Sequence, residues 1–250
     1  MLEFKTPQIE DKLWVDECFK HLKTMNCDYT FGNMFVWSTE YTTKICKYKD
    51  FFICSWGKGD ETSFGIPVGN GDFKDAVNAV KEYTKELGLK LRFYGVTEAY
   101  IDMLNNYFPN EFDFQYDDGY GDYIYSVEKM AELKGKKYHG KRNHITNFKR
   151  NNPNWSFEII NKDNINDCID LHTKWISTHN DDSDISFEFE AVLKAFENYE
   201  KLGFVGGLIR IDGEAIAYTF GEPISEETFV THFEKAPPEI QSAYSVINQE

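Results

Sequence analysis

Several things are scarce in this 250-residue chain, and each scarcity excludes something. No run approaches the roughly 18 uninterrupted apolar residues that a membrane helix requires. Its longest apolar stretches, such as Phe51–Ile53 and Phe204–Ile209, have strand length. The start, Met1-Leu2-Glu3-Phe4-Lys5, lacks a basic segment followed by an apolar one, so it does not read as a signal peptide, and the chain is expected in the cytoplasm. Cysteine is sparse and odd in number: Cys18, Cys27, Cys46, Cys54 and Cys168, with no CxxC pair. That argues against a disulfide framework or a zinc ribbon, and the apolar neighbours of each thiol predict a packing role. Gly65–Gly71 has no phosphate-loop Lys-Ser/Thr, no nucleophile elbow is present, and Asp117–Asp122 lacks calcium-loop spacing. His172 and His179 lie two helical turns apart, too far for a shared metal ion, so no metal site is predicted.

Positive charge is scarce too, with 27 Lys and Arg against 42 Asp and Glu and a net charge of −15. Such a surface opposes general binding to nucleic acid or anionic lipid. The scarcity is uneven, however. Lys129, Lys134, Lys136, Lys137, Lys141, Arg142, Lys149 and Arg150 fall within one 22-residue stretch whose only acid is Glu132. A local reversal of this kind suits phosphate groups on tRNA, a phospholipid headgroup or a nucleotide. The alternative is a solvated helix paired with the acidic surface. At 41% hydrophobic and 16% aromatic residues, the chain has ample material for a core.

Two helix-and-strand series follow one another. In the first, Gln8–Leu22 has helical spacing and Thr43–Trp56 reads as a strand pair about Lys49-Asp50. Asp72–Leu87 is an amphipathic helix with Asp72 as cap and Gly88 as stop, Leu89–Val96 a strand, Thr97–Phe108 a helix, and Asp122–Val127 a strand. In the second, Lys141–Arg150 is a basic helix stopped by Asn151-Asn152-Pro153. Trp155–Ile160 is a strand, and Asn164–His179 and Phe187–Leu202 are helices. Three strands close the series: Phe204–Ile211, Glu214–Gly221 and Thr228–Lys235, the first two joined by the tight turn Asp212-Gly213. Pro237-Pro238 forms a loop before a helix from Ser242. Meandering hairpins exclude a doubly wound sheet. The reading is α/β with mixed sheets in two units, 1–128 and 129–250.

The segments Lys136–Ile145, Thr231–Ala236, Ala243–Glu250 and Tyr29–Met34 carry a family resemblance. Over essentially its whole length the chain resembles the uncharacterised bacterial proteins grouped with the C-terminal domain of phosphatidylglycerol lysyltransferase. The resemblance implies two tandem acetyltransferase-like domains, akin to the Fem-type transferases that use aminoacyl-tRNA. It also implies a second domain missing its last strands, since relatives extend beyond Glu250.

Site candidates follow. Strict alternation along Thr231–Lys235 would place His232 and Glu234 on one face, where either would deprotonate an attacking amine or else join an internal pair with Arg210 or Lys235. Tyr244 completes the catalytic candidates. Lys141, Arg142, Tyr138, His139, Lys235, Gln241 and Asn248 are the candidates for holding the donor. The loop 237–244 stands where an acetyltransferase binds pyrophosphate, but it has no glycine and two prolines, which remove backbone donors. That counts against acyl-CoA at this loop and suits an aminoacyl-tRNA donor, or no acyl-CoA chemistry at all. The leading expectation is an acyl- or aminoacyl-transferase. A non-catalytic module for RNA, a lipid headgroup or a nucleotide, with contact to a membrane surface, and a conventional acyl-CoA N-acetyltransferase are the alternatives.

Overall fold

The computed structural model describes residues 2–116, 119, 121–177, 183–240 and 242–250, the side chains of 183–186 excepted. The chain divides into two compact units, Met1–Asp122 with Ile224–Thr228, and Tyr123–Pro223 with Phe229–Glu250.

The first unit is built on α1 (Lys12–Phe19), α2 (Phe31–Val36), α3 (Phe73–Glu86) and α4 (Glu98–Tyr107), with strands β1 (Lys44–Tyr48), β2 (Phe51–Trp56), β3 (Ser63–Gly65), β4 (Val68–Gly69) and β5 (Phe93–Tyr94). The sheet order is β1-β2-β3-β5, with β4 also on β2; only the β3–β5 pairing is parallel. The β1–β2 hairpin closes Tyr48 on Phe51, with Lys49 at φ 52°, as the aromatic and β-branched run about Lys49-Asp50 predicts. Asp72 caps α3 by accepting from the Asp75 amide, and Phe73, Ala76, Val77 and Val80 are its buried stripe. These pack on Phe51, Ile53, Phe64 and Val68, while Trp14 and Phe19 of the α1 helix meet Phe52.

The second unit holds α5 (Val127–Glu132), α6 (His139–Asn151), α7 (Ile165–Ser177), α8 (Ser183–Glu197), α9 (Tyr199–Leu202) and α10 (Ala243–Ile247). They flank an antiparallel sheet ordered β6 (Trp155–Ile159), β7 (Val205–Ile211), β8 (Glu214–Pro223) and β9 (Phe229–Lys235). On one face Ile209, Ala217 and Ala236 pack with Ile145 and Phe148 of α6 and with Ala243, Val246 and Ile247 of α10. On the other, Tyr218, Phe220 and Phe204 form an aromatic cluster with Phe196 and Tyr199 of α8 and α9. Asp212 and Gly213, both at positive φ, make the β7–β8 turn that the sequence signals.

Three expectations need correction. Asp122–Val127 is not a strand: residues 122–126 are irregular and Val127 starts α5, leaving Tyr123 89% and Ile124 64% exposed. Leu89–Val96 contributes only Phe93–Tyr94 to the sheet. Phe187–Leu202 is not one helix, because Asn198 (ψ 13°) breaks it into α8 and α9 before Gly203 ends it in the left-handed region. His179 and Gln241, and with them Asp117, Asp118 and Tyr120, lie outside the described residues. All five cysteines are free thiols, and Cys18, Cys46, Cys54 and Cys168 are buried. Among the described residues no helix is long and apolar enough to cross a membrane.

Candidate functional site

The candidates gather around β9, but the strand does not alternate simply. Phe233 pairs with Phe220 and Thr231 with Gly221, so His232 is an extra residue, a β-bulge. Gly221 is needed opposite it, because a Cβ there would run into the Val230 carbonyl. The bulge turns His232 to the side of Phe233. Its ring lies 5.5 Å from Phe204 in the aromatic layer, and Nε2 is 2.9 Å from Oε1 of Glu222. The expected shared face for His232 and Glu234 is therefore overturned. A second bulge, at Ile216 opposite Ile209 and Arg210, likewise sends Ile216 and Ala217 to one face.

Both partners of the His232–Glu222 pair are almost wholly buried, at 2% and 5% side-chain exposure. A buried carboxylate stripped of its partner is expensive. We expect His232→Leu to destabilise the protein by about 3 kcal/mol, and the double replacement E222L/H232L to recover most of that. Urea denaturation of the single and double variants checks both values. Arg210, considered above as a partner for β9, instead pairs with Glu158 at 3.0 Å and Asp167 at 2.5 Å.

Glu234 lies on the opposite face, towards α6 and α10. Both its oxygens accept from the Asn248 side-chain amide, at 2.7 and 2.8 Å, and that amide also donates to the Tyr244 carbonyl at 3.1 Å. Burial raises the Glu234 carboxyl above the ordinary carboxylate range, against the opposing pull of the Asn248 amide and the Lys141 ammonium. Glu234 and Asn248 are thus brought together by the short return from β9 to α10, with the Lys141 charge close by on α6 and only the backbone carbonyl of Tyr244 in the same hydrogen-bond group. Tyr244 is 42% exposed.

The other basic candidates are engaged differently. Arg142 donates to the Leu133 carbonyl and, at 2.8 Å, to that of Gly135, tying down the turn between α5 and α6, where Leu133 sits at φ 48°. Lys149 pairs with Glu250 at 2.7 Å and lies over the Trp155 ring. Tyr138 packs into the core at the start of α6, and exposed His139 lies 3.4 Å from Asn143. Ile145 and Phe148 anchor the helix, and Lys141, one turn before Ile145 on the same face, is exposed near the helix start.

Lys235 faces the aromatic layer. Its ammonium pairs with Glu188 at 2.7 Å and sits 4.3 Å from the Trp175 ring centroid. Beside it is a group the sequence does not flag as a pair. His172, fully buried on α7, has Nδ1 2.8 Å from the Tyr218 hydroxyl, and among the described residues Nε2 has no partner. Burial, reinforced by the Lys235 charge, lowers the His172 pKa to about 4. Burial first, then the nearby Glu188, Cys168 and Tyr244, raises the Tyr218 phenol well above its ordinary value. Only helical periodicity, which puts His172 on the inner face of α7, signals any of this.

The family described as phosphatidylglycerol lysyltransferase, C-terminal, matches residues 19–250. The chain belongs to this family. A conserved protein of unknown function from Bacteroides thetaiotaomicron is 34% identical over all of the chain and 85% of its own length, with a TM-score of 0.91. The C-terminal domain of an Agrobacterium fabrum protein described as a lysylphosphatidylglycerol synthetase is 14% identical. It aligns with 96% of the chain and 71% of its own at a TM-score of 0.57, a likeness of fold. No curated protein matches the chain. The α/β architecture, with one mixed and one antiparallel sheet, is thus similar to that of the family's C-terminal domain.

Proposed function

We propose that this member of the family is an aminoacyl-transferase built from two acetyltransferase-like units, with the reacting groups on β9 and α10 of the second. An acceptor amine or hydroxyl attacks the ester carbonyl of an aminoacyl-tRNA. The new C–N or C–O bond forms as the bond to the ribose oxygen breaks. Glu234 takes the acceptor's proton, and Tyr244 supplies one to the departing ribose hydroxyl. The observation that carries the reading is the half-buried Glu234 carboxylate, raised in pKa, held from both oxygens by Asn248 and accompanied by Lys141. Raising a carboxylate towards neutral pH strengthens it as a base. Lys141, exposed near the start of α6, is available for carrier phosphate. The glycine-free loop 237–244 supports tRNA rather than acyl-CoA as donor. The family's name supplies the acceptor class, a phosphatidylglycerol-type headgroup.

The test is direct. Purified protein is incubated with labelled aminoacyl-tRNA or labelled acetyl-CoA, and with phosphatidylglycerol vesicles. Label moving from aminoacyl-tRNA into lipid supports the reading. Label moving only from acetyl-CoA replaces it with conventional acyl transfer, and no transfer from either leaves a binding module.

A further inference from the structure

Where the loop after β9 meets α10, Ser242 does not behave as its position predicts. A serine just before a helix ordinarily turns its hydroxyl to a backbone amide of the first turn. The Ser242 side chain makes no such bond, and its backbone sits in the left-handed region at φ 72°, a strained setting for a residue with a Cβ. The hydroxyl lies instead 3.1 Å from Nδ1 of His144, 98 residues earlier on α6. Half-buried Ser242 also lines a cleft of about 500 Å³ whose floor includes Phe148, Ile216 and Ile240. Asn147 and Asn151 line it too, and their helical spacing from His144 puts all three on one face of α6. Arg150 donates to Oδ1 of Asn147 at 3.0 Å, which leaves the amide NH2 of that side chain to donate elsewhere. No lysine or arginine lines the cleft, whereas Asp212, Glu214 and Glu239 do.

We propose that Ser242 and His144 are the nucleophile and base of a carboxylesterase site, distinct from Glu234, that takes neutral esters with an apolar acyl group. A hydroxyl within hydrogen-bond reach of an imidazole is the minimum for an activated serine. With the imidazole proton on Nε2, Nδ1 accepts the Ser242 proton as Oγ attacks the ester carbonyl. The Asn147 amide, on the cleft wall, is the donor for the carbonyl oxygen as it gains charge. Collapse returns the proton from Nδ1 to the leaving oxygen, so an alcohol departs and the acyl group stays on Oγ. Water, deprotonated by the same nitrogen, then releases a carboxylic acid and restores the serine. The lining selects the substrate. Its carboxylates repel phosphate and carboxylate groups, which disfavours acyl-CoA and tRNA here, while the apolar floor takes the acyl chain. Among the described residues no acid orients His144, so turnover is slow beside that of a full triad.

The full chain is incubated with p-nitrophenyl acetate and p-nitrophenyl butyrate, and separately with a neutral alkyl fluorophosphonate followed by digestion and mass mapping. Release of p-nitrophenolate above the uncatalysed rate and a phosphonyl adduct on Ser242 are expected. Ser242→Ala should lose both. His144→Ala should slow both at least about 100-fold, the usual worth of a general base. An unchanged Tm shows that each variant folds, and the adduct map of the unaltered chain requires no variant. Absence of the adduct from Ser242 in the unaltered chain overturns the proposal. So does labelling that His144→Ala leaves intact, or hydrolysis that Ser242→Ala retains; the hydrogen bond would then be only a latch between α6 and the loop. Neither probe involves an aminoacyl donor or a lipid, so this outcome is independent of the transfer assay.

Discussion

Glu234→Gln is expected to slow transfer at least 100-fold while leaving the thermal midpoint nearly unchanged. General bases contribute about 10²–10⁴-fold. Glutamine keeps one oxygen to accept from Asn248 but cannot take the acceptor's proton. The pH profile discriminates further. Transfer should fall on the acid side at a pH above that of an ordinary carboxylate, because burial raises Glu234. Asn248 and Lys141 both stabilise its charged form, so Asn248→Ala or Lys141→Ala should move that acid limb to higher pH. A merely structural role would leave the limb in place. Near-full activity of Glu234→Gln in single-turnover assays would remove the base from β9.

The second large effect is on stability. His172 is fully buried and its pKa is lowered to about 4, whereas in the unfolded chain it titrates near 6.5. Between those values the unfolded state binds a proton that the folded state does not, so acid favours unfolding. The contribution is complete above about pH 6.5, is lost as pH falls towards 4, and amounts to about 3 kcal/mol. Glu188 and Lys235 face the same layer but are paired with each other. His172→Phe, set beside Trp175 and Phe189, should lack this component of the pH dependence. It should also be less stable at pH 7, because the Tyr218 hydroxyl loses its partner. Urea midpoints for both proteins from pH 7 to 4 provide the check; identical slopes would mean that His172 is not held neutral.

Sequence reading succeeded where structure is local. The helix α3 carries its own cap, stripe and stop in Asp72, Phe73–Val80 and Gly88, and Asp212-Gly213 specifies a hairpin whatever surrounds it. Asp122–Val127 failed because β propensity describes fitness for a sheet, and a strand exists only where a partner ladder is available. The basic stretch was legible as composition, but not that Arg142 is occupied by backbone carbonyls nine and seven residues earlier. Glu234 was legible as an ionisable residue in an otherwise strand-like run. Its grouping with Asn248 depends on how the loop after β9 turns, and the side taken by His232 depends on a single inserted residue that alternation cannot reveal.

The sheet order of the second unit has a kinetic corollary. Among the described residues β8 is laddered on both sides, by β7 and β9, whereas β9 is laddered only by β8. Local opening of an outermost strand breaks one set of hydrogen bonds; opening of β8 breaks two and disrupts the packing around Tyr218 and Phe220. Backbone amides of β8 should therefore be among the last to exchange with deuterium, and those of β9 earlier. Glu234 and its neighbours would then ride on an outer strand, freer to breathe than β8, while Tyr218, the partner of His172, is anchored on β8 itself.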